Sequence, residues 1–191
     1  MRVHAYIDGF NLYYGSLKGT QNRWLDIEAL CKSITPKGAT LSKIRYFTAK
    51  VNSNPQKPTA HTDQRSYLQA IDAHCNLVQI HYGHYQENRV RAPNANPPPV
   101  TVEIIKREEK GSDVNLAVHL VNDAFTAGIN AAILISNDSD LAEAVTLARA
   151  RGIEVYWYPP LACKGRYPSK TLQSVVTHQR QIYPNKYAAA Q

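Results

Sequence analysis

Apolar positions along this chain follow two rhythms: short runs bounded by turn residues, and longer segments with helical spacing. Val3 to Ile7 reads as a strand stopped at Asp8-Gly9. Leu25, Ala29 and Leu30 then recur at helical spacing, with Asp26 and Glu28 suited to a first turn, which predicts a helix near 25–34. Lys43 to Val51 alternates and is rich in β-formers, so it reads as the second strand. Residues 52–58 are a loop by composition, and 59–73 carry the helical stripe Tyr67, Leu68, Ile71. Residues 76–85 and 100–106 read as extended pieces, the arms of a hairpin. Between them, the four prolines of residues 86–99 and the missing periodicity predict an extended loop. The remaining rhythm is a helix over 113–126 ended by Gly128, a strand over 131–135, a helix over 139–150 ended by Gly152, a strand over 153–158 and a helix over 169–181.

Strand–helix alternation of this kind predicts an α/β fold of three layers, α/β/α, around a mostly parallel central sheet. A single domain is expected over 1–182, followed by a C-terminal tail over 183–191. Right-handed crossovers carry the C-terminal ends of the strands to one edge, so Asp8 and Asp138 should reach the same rim. Open α/β sheets hold their ligands there. No internal repeat is visible, and no Gly-rich phosphate fingerprint follows a strand, which argues against a dinucleotide.

Charge sharpens the picture. Lys+Arg 22 against Asp+Glu 15 gives +7 over 191 residues, a balance suited to a polyanionic partner. The first residues turn acidic too soon for a signal peptide, and no apolar run approaches the roughly 20 residues of a membrane span, so no membrane association is expected. Cys31, Cys75 and Cys163 are odd in number and widely spaced, which reads as ordinary thiols of a reducing cytoplasm. His74 and Cys75 are adjacent and diverge in direction, so they make no metal pair.

Against that basic background, acids stand at the ends of core elements: Asp8, Asp113, and the pair Asp138 and Asp140. Each has a bland reading. Asp8 can end a strand in an Asp-Gly turn, and Asn137 or Asp138 can cap a helix with Asp140 in its favourable first turn. Asp113 is harder to explain so. On a helical wheel it shares an arc with Leu116, Ala117, Leu120, Val121 and Ala124, while Asn115, His119, Asn122 and Thr126 face away. An inward acid beside two rim acids suits Mg²⁺ or Mn²⁺, which take oxygen ligands and keep waters that phosphate can replace. Asn11 serves equally as a helix cap or as a group positioning water or phosphate.

The blocks Asp8-Gly-Phe-Asn11, Lys110-Gly-Ser-Asp-Val-Asn-Leu116 and Ser136-Asn-Asp-Ser-Asp-Leu141 resemble the signatures of the NYN domain, LabA-like branch, of the PIN-like nuclease superfamily. The resemblance covers about residues 1–182. It implies a PIN-like, Rossmannoid three-layer fold with four to five parallel core strands and metal-dependent RNA cleavage. Asp8, Asp113 and Asp138 carry over as metal ligands, Asp140 as a second-rank ligand and Asn11 as a positioning residue. Leu141 stands where related blocks often have Phe. An additional acid on an early helix, frequent among PIN relatives, has only Asp63 and Asp72 as candidates here.

Lys50, Lys57, Arg89, Arg91, Lys106, Arg107 and Lys110 fall in or beside loops that can flank the rim and contact phosphates. Tyr13 and Tyr14, next to Asn11, can stack on unpaired bases. The leading expectation is a cytoplasmic metal-dependent endoribonuclease. Two alternatives stay open: a non-catalytic RNA-binding module that kept the acidic rim, and a DNA nuclease or phosphoesterase. The 86–99 segment is the expected place for a protein partner or a second copy of the chain.

Overall fold

The computed structural model describes residues 1–52, 58–162 and 165–191, so Lys57, Cys163 and most of the loop expected at 52–58 lie outside the described residues. A six-stranded sheet in the order β3-β2-β1-β6-β7-β8, parallel at every described pairing, forms the middle layer. β1 (Arg2–Asp8) lies between β2 (Thr40–Thr48) and β6 (Ala131–Ile135). Both faces of these strands are covered, which is why β6 is apolar at every position and buried throughout. β3 (Val78–Tyr82) forms one edge, and β7 (Glu154–Trp157) with β8 (His178–Gln179) completes the other side.

The period of two along β1 divides its side chains between the layers. Val3, Ala5 and Ile7 join a core made with α2 (Ile27–Ile34), α3 (Ala60–His74) and α7 (Pro184–Ala189). Tyr6 joins the opposite core, with α4 (Ser112–Thr126), α5 (Ala142–Ala150) and α6 (Lys170–Val175). His4 and Asp8 share the alternation of Tyr6 and so fall on the α4 side.

α4 is held to the sheet by a buried polar network. Asp123 accepts from Arg45 Nε at 2.7 Å and Nη2 at 2.8 Å, from Tyr6 Oη at 2.9 Å, and pairs with His4 Nδ1 at 3.1 Å. Arg45 Nη1 also donates to Gln79 Oε1 at 2.9 Å and lies 3.2 Å from His81 Nε2. One helix, three strands and two charges are thereby tied together. Burial alone would raise the Asp123 pKa, but the bonds from His4, Arg45 and Tyr6 and the Arg45 charge outweigh it and hold the carboxyl well below its usual range. His119, expected to face away, is half-buried, its ring 4.2 Å from that of His81 and 5.8 Å from Phe47.

The Pro-rich region departs from expectation. Residues 76–85 are not one strand: the chain leaves the main sheet at Gly83 and enters β4 (His84–Pro93), which pairs antiparallel with β5 (Thr101–Lys110) as a separate ribbon. Only residues 94–100 form its tip, closed by Asn94 N donating to Val100 O at 2.9 Å. The prolines cluster from residue 93 onward, and that crowding hides the strand character of 86–92. The C-terminal end differs too. The helix expected over 169–181 ends at Val175: β-branched Val176 is extended, His178–Gln179 form β8, and Thr177 N donates to Val155 O at 3.2 Å. The expected tail is helical: Pro184 starts α7, Tyr187 and Ala190 enter the core, and Asp26 N donates to Ala190 O at 2.8 Å.

Substituting Asp123→Ala leaves Arg45 buried without its counter-charge and is expected to cost about 3–5 kcal/mol, read from urea unfolding at neutral pH. A carboxyl with a depressed folded pKa stabilises above its unfolded pKa and loses that contribution as pH falls. The stability gap between wild type and Asp123→Asn should therefore narrow below about pH 4. A gap independent of pH would show that the charge of Asp123 is not what holds α4.

Candidate metal and nucleic-acid site

Asp8 is the last residue of β1, and its carboxylate caps the short helix α1 (Gly9–Leu12), Oδ1 accepting from Asn11 N at 2.8 Å. The Asp-Gly turn is therefore not what ends the strand. Gly9 is helical, and it is small because a Cβ there would stand 2.7 Å from the Tyr46 ring and 2.9 Å from Phe47 O. The second Asp8 oxygen accepts from Ser136 Oγ at 3.1 Å, and Ser136 Oγ in turn accepts from Asp138 N at 3.1 Å. One buried serine hydroxyl thus links the acids at the ends of β1 and β6. Asp138 caps a single 3₁₀ turn (Ser139–Leu141), accepting from Asp140 N at 3.0 Å; Asp140 itself is exposed.

Asn11 bridges the same two loops. Its Oδ1 accepts from Asn137 N at 3.2 Å; it lies inside α1, whose cap is Asp8, so it is not a helix cap but a tie between the ends of β1 and β6. A partly helical segment continues into a π-helical turn (Tyr13–Leu17), which leaves Tyr13 39% and Tyr14 41% exposed beside the rim. Phe10 lies 6.5 Å from Tyr14 and 6.0 Å from Tyr85, edge-on to the latter.

α4 brings Asp113 to this rim, half-buried as its wheel position implies. Burial, and then the charges of Asp8, Asp138, Glu109 and Asp140, push its carboxyl up to about 7. Asp8 is likewise raised by burial, against the opposing hydrogen bonds from Asn11 and Ser136. Glu109 is an acid that local reading of the chain did not single out. It is the penultimate residue of β5, pairs across the ribbon with Tyr85, and its Oε1 accepts from Ser112 N at 3.1 Å at the start of α4. Gly83 admits this packing, since a Cβ there would overlap the Glu109 carboxylate and Lys110 O. Ser136 was equally unmarked, and Asn137 was read only as a possible helix cap, a place that Asp138 takes.

Among the described residues, no three His, Cys, Asp or Glu side chains are gathered into a closed ligand group. The acids face one space without meeting at a point. The donor set still fits a hard divalent cation: all are oxygens, and burial and the neighbouring carboxylates disfavour a bare charge on Asp113. Asp63 instead lies 3.8 Å from Arg23, and Asp72 lines a groove of about 740 Å³ between α3 and the edge strand β3.

The expected phosphate-binding cations are dispersed. Lys50 borders that groove, its ammonium 4.9 Å from the Tyr82 ring centre. On the ribbon, Arg107 pairs with Glu87 at 2.7 Å, Lys106 and Lys110 share Glu108, and Arg89 lies 3.9 Å from Glu103; Arg91 is exposed. Such exposed pairs are weak, so phosphate can exchange with the glutamates at little cost.

Residues 2–178 match the family described as NYN domain. The chain is 31% identical over 175 residues to 6-hydroxy-3-succinoylpyridine 3-monooxygenase HspA of Pseudomonas putida (strain DSM 28022 / S16), a match covering 78% of this chain and 56% of that protein. The chain thus spans little more than half the length of that relative. Among solved structures it is similar to VPA0982, a protein of unknown function from Vibrio parahaemolyticus RIMD 2210633, with TM-score 0.58 and 16% identity over 96% of this chain and 94% of that one. At that identity the likeness is one of fold. No helix among the described residues is long and apolar enough to cross a membrane.

A carboxyl raised to about 7 in the fold and ordinary when unfolded costs stability as pH rises from about 4 to 7, and no more above that. In buffer with EDTA, the melting temperature of Asp113→Asn should therefore overtake that of wild type by several degrees across this interval and then run parallel. Parallel curves from pH 4 onward would mean that neither burial nor the other acids raise Asp113.

Proposed function

Because the chain belongs to the NYN-domain family of the PIN-like nuclease superfamily, we propose that it is a metal-dependent endoribonuclease. NYN domains are generally hydrolytic nucleases that bind nucleic acid and typically use divalent metals. The observation that carries the reading is Asp113, a half-buried acid raised by burial and by four neighbouring carboxylates at the C-terminal edge of a parallel sheet. Charge of one sign is gathered there at a cost that local structure does not require, which is the mark of a site built for a ligand.

Asp8, Asp113 and Asp138 would hold Mg²⁺ or Mn²⁺, with Asp140 in the outer rank. When bound, the ion supplies charge neutralisation and Lewis-acid polarisation of the phosphodiester. Ser136 and Asn11 keep Asp8 and Asp138 at fixed spacing, Asn11 bonding Asp8 as well as Asn137. Tyr13 and Tyr14 offer exposed rings to unpaired bases, and Lys50, Arg89, Arg91, Lys106, Arg107 and Lys110 supply cations around the approach.

The identity to HspA favours a second reading, in which this chain acts as a monooxygenase on a related pyridine compound. It is the weaker one, since the match omits a large part of that protein. Incubation with 6-hydroxy-3-succinoylpyridine, dioxygen and a reductant tests it by product analysis.

The nuclease reading is tested with labelled RNA and DNA in Mn²⁺, Mg²⁺ or EDTA. RNA cleavage should require the metal. Asp113→Asn should abolish it while RNA affinity persists, and affinity should fall by orders of magnitude between low and moderate salt. Unchanged cleavage in the mutant removes Asp113 from the site; binding without cleavage under any metal favours the non-catalytic module, and preference for DNA the alternative nuclease.

A further inference from the structure

Tyr167 is the most exposed large aromatic among the described residues, with 82% of its surface open. An exposed ring is ordinary on a mobile surface, but the backbone that carries this one is pinned. Asn137 uses both ends of its amide on the segment: Nδ2 donates to Tyr167 O at 2.9 Å, and Oδ1 accepts from Ser169 N at 2.8 Å. The backbone N–H of the same Asn137 donates to Asn11 Oδ1, and its chain neighbours are Ser136, bonded to Asp8, and Asp138. A single residue lying between the rim acids therefore anchors the segment that presents the ring. Tyr13 and Tyr14 reach the rim from the β1 end, whereas Tyr167 belongs to the chain that follows β7. Arg166 and Lys170, both exposed, flank it in sequence. An aromatic face with exposed cations next to it in sequence, on a segment anchored to the acidic rim, matches the recognition of unpaired nucleotides, with the base on the ring and the phosphates on the cations.

We propose that Tyr167 is a base-stacking residue for single-stranded RNA at the aspartate rim, with Arg166 and Lys170 contacting the adjoining phosphates. This rests on the nucleic-acid reading given above. The test is binding without turnover: anisotropy of labelled single-stranded RNA, an abasic strand of equal length and an RNA duplex, all in EDTA at one low salt concentration. Tyr167→Ala should weaken single-stranded RNA roughly 5- to 150-fold and leave the abasic strand and the duplex unchanged. Tyr167→Phe, which keeps the ring, should bind like wild type, and Tyr167→Trp should bind with quenched indole emission absent from wild type. An alanine variant that binds single-stranded RNA like wild type overturns the inference and leaves the nuclease reading standing. Equal losses on the abasic strand and the duplex overturn stacking in favour of a backbone effect. Wild-type protein that binds none of the three overturns both readings together.

Discussion

The Asp123–Arg45 ion pair decides where α4 lies on the sheet, and with it where Asp113 stands. From His4 to Asp8 along β1 is about 13 Å, and from Asp113 to Asp123 along α4 about 15 Å. The two elements run antiparallel, so fixing Asp123 against His4 and Tyr6 brings the other end of the helix to Asp8. A purely apolar helix face can slide or rotate at small cost. A bidentate guanidinium–carboxylate pair fixes direction as well as distance, and removing either partner leaves a buried charge. Registry is the property this pair supplies.

At the rim the same carboxylates carry two duties. Asp8 and Asp138 each cap a helical turn, and at Asp8 the capping bond favours the charged form while burial and then the charge of Asp138 oppose it. Capping thus offsets part of the repulsion that a bare acidic site imposes on the fold. Asp113 has no such relief: the cap position before α4 is Gly111, whose φ of +92° is left-handed, and the nearby Ser112 N–H is taken by Glu109. Repulsion therefore concentrates on Asp113, the acid with the largest stake in a counter-cation.

The β4–β5 ribbon is attached to this site through Tyr85 against Phe10 and Glu109 against α4. Two strands alone bury little, so contacts at the base matter more for the position of the ribbon than its own cross-strand ion pairs. Its link to the rim sets the ribbon beside the acids. An α/β scaffold does not by itself dictate its chemistry. The arrangement of side chains at the rim has to carry that argument.

Periodicity alone predicted β1, β6, α3, α4 and the parallel sheet, because the faces these elements bury are written in their own residues. It also placed Asp8 and Asp138 on one rim and turned Asp113 inward. It did not reveal that the chain changes sheets at Gly83, since extended residues look alike whichever strand they pair with. The helix at 184–189 was hidden because a short segment gains stability from the core that receives Tyr187, not from its own propensity. Nothing in the local sequence marked Asp123, Arg45 and His4 as partners before the fold set them together. Glu109 at the end of β5 and the Asn137 clamp on Tyr167 were unreadable for the same reason. Local sequence records which face of an element avoids water, whereas a polar group's partner is chosen by packing between residues far apart in the chain, and only the tertiary structure decides it.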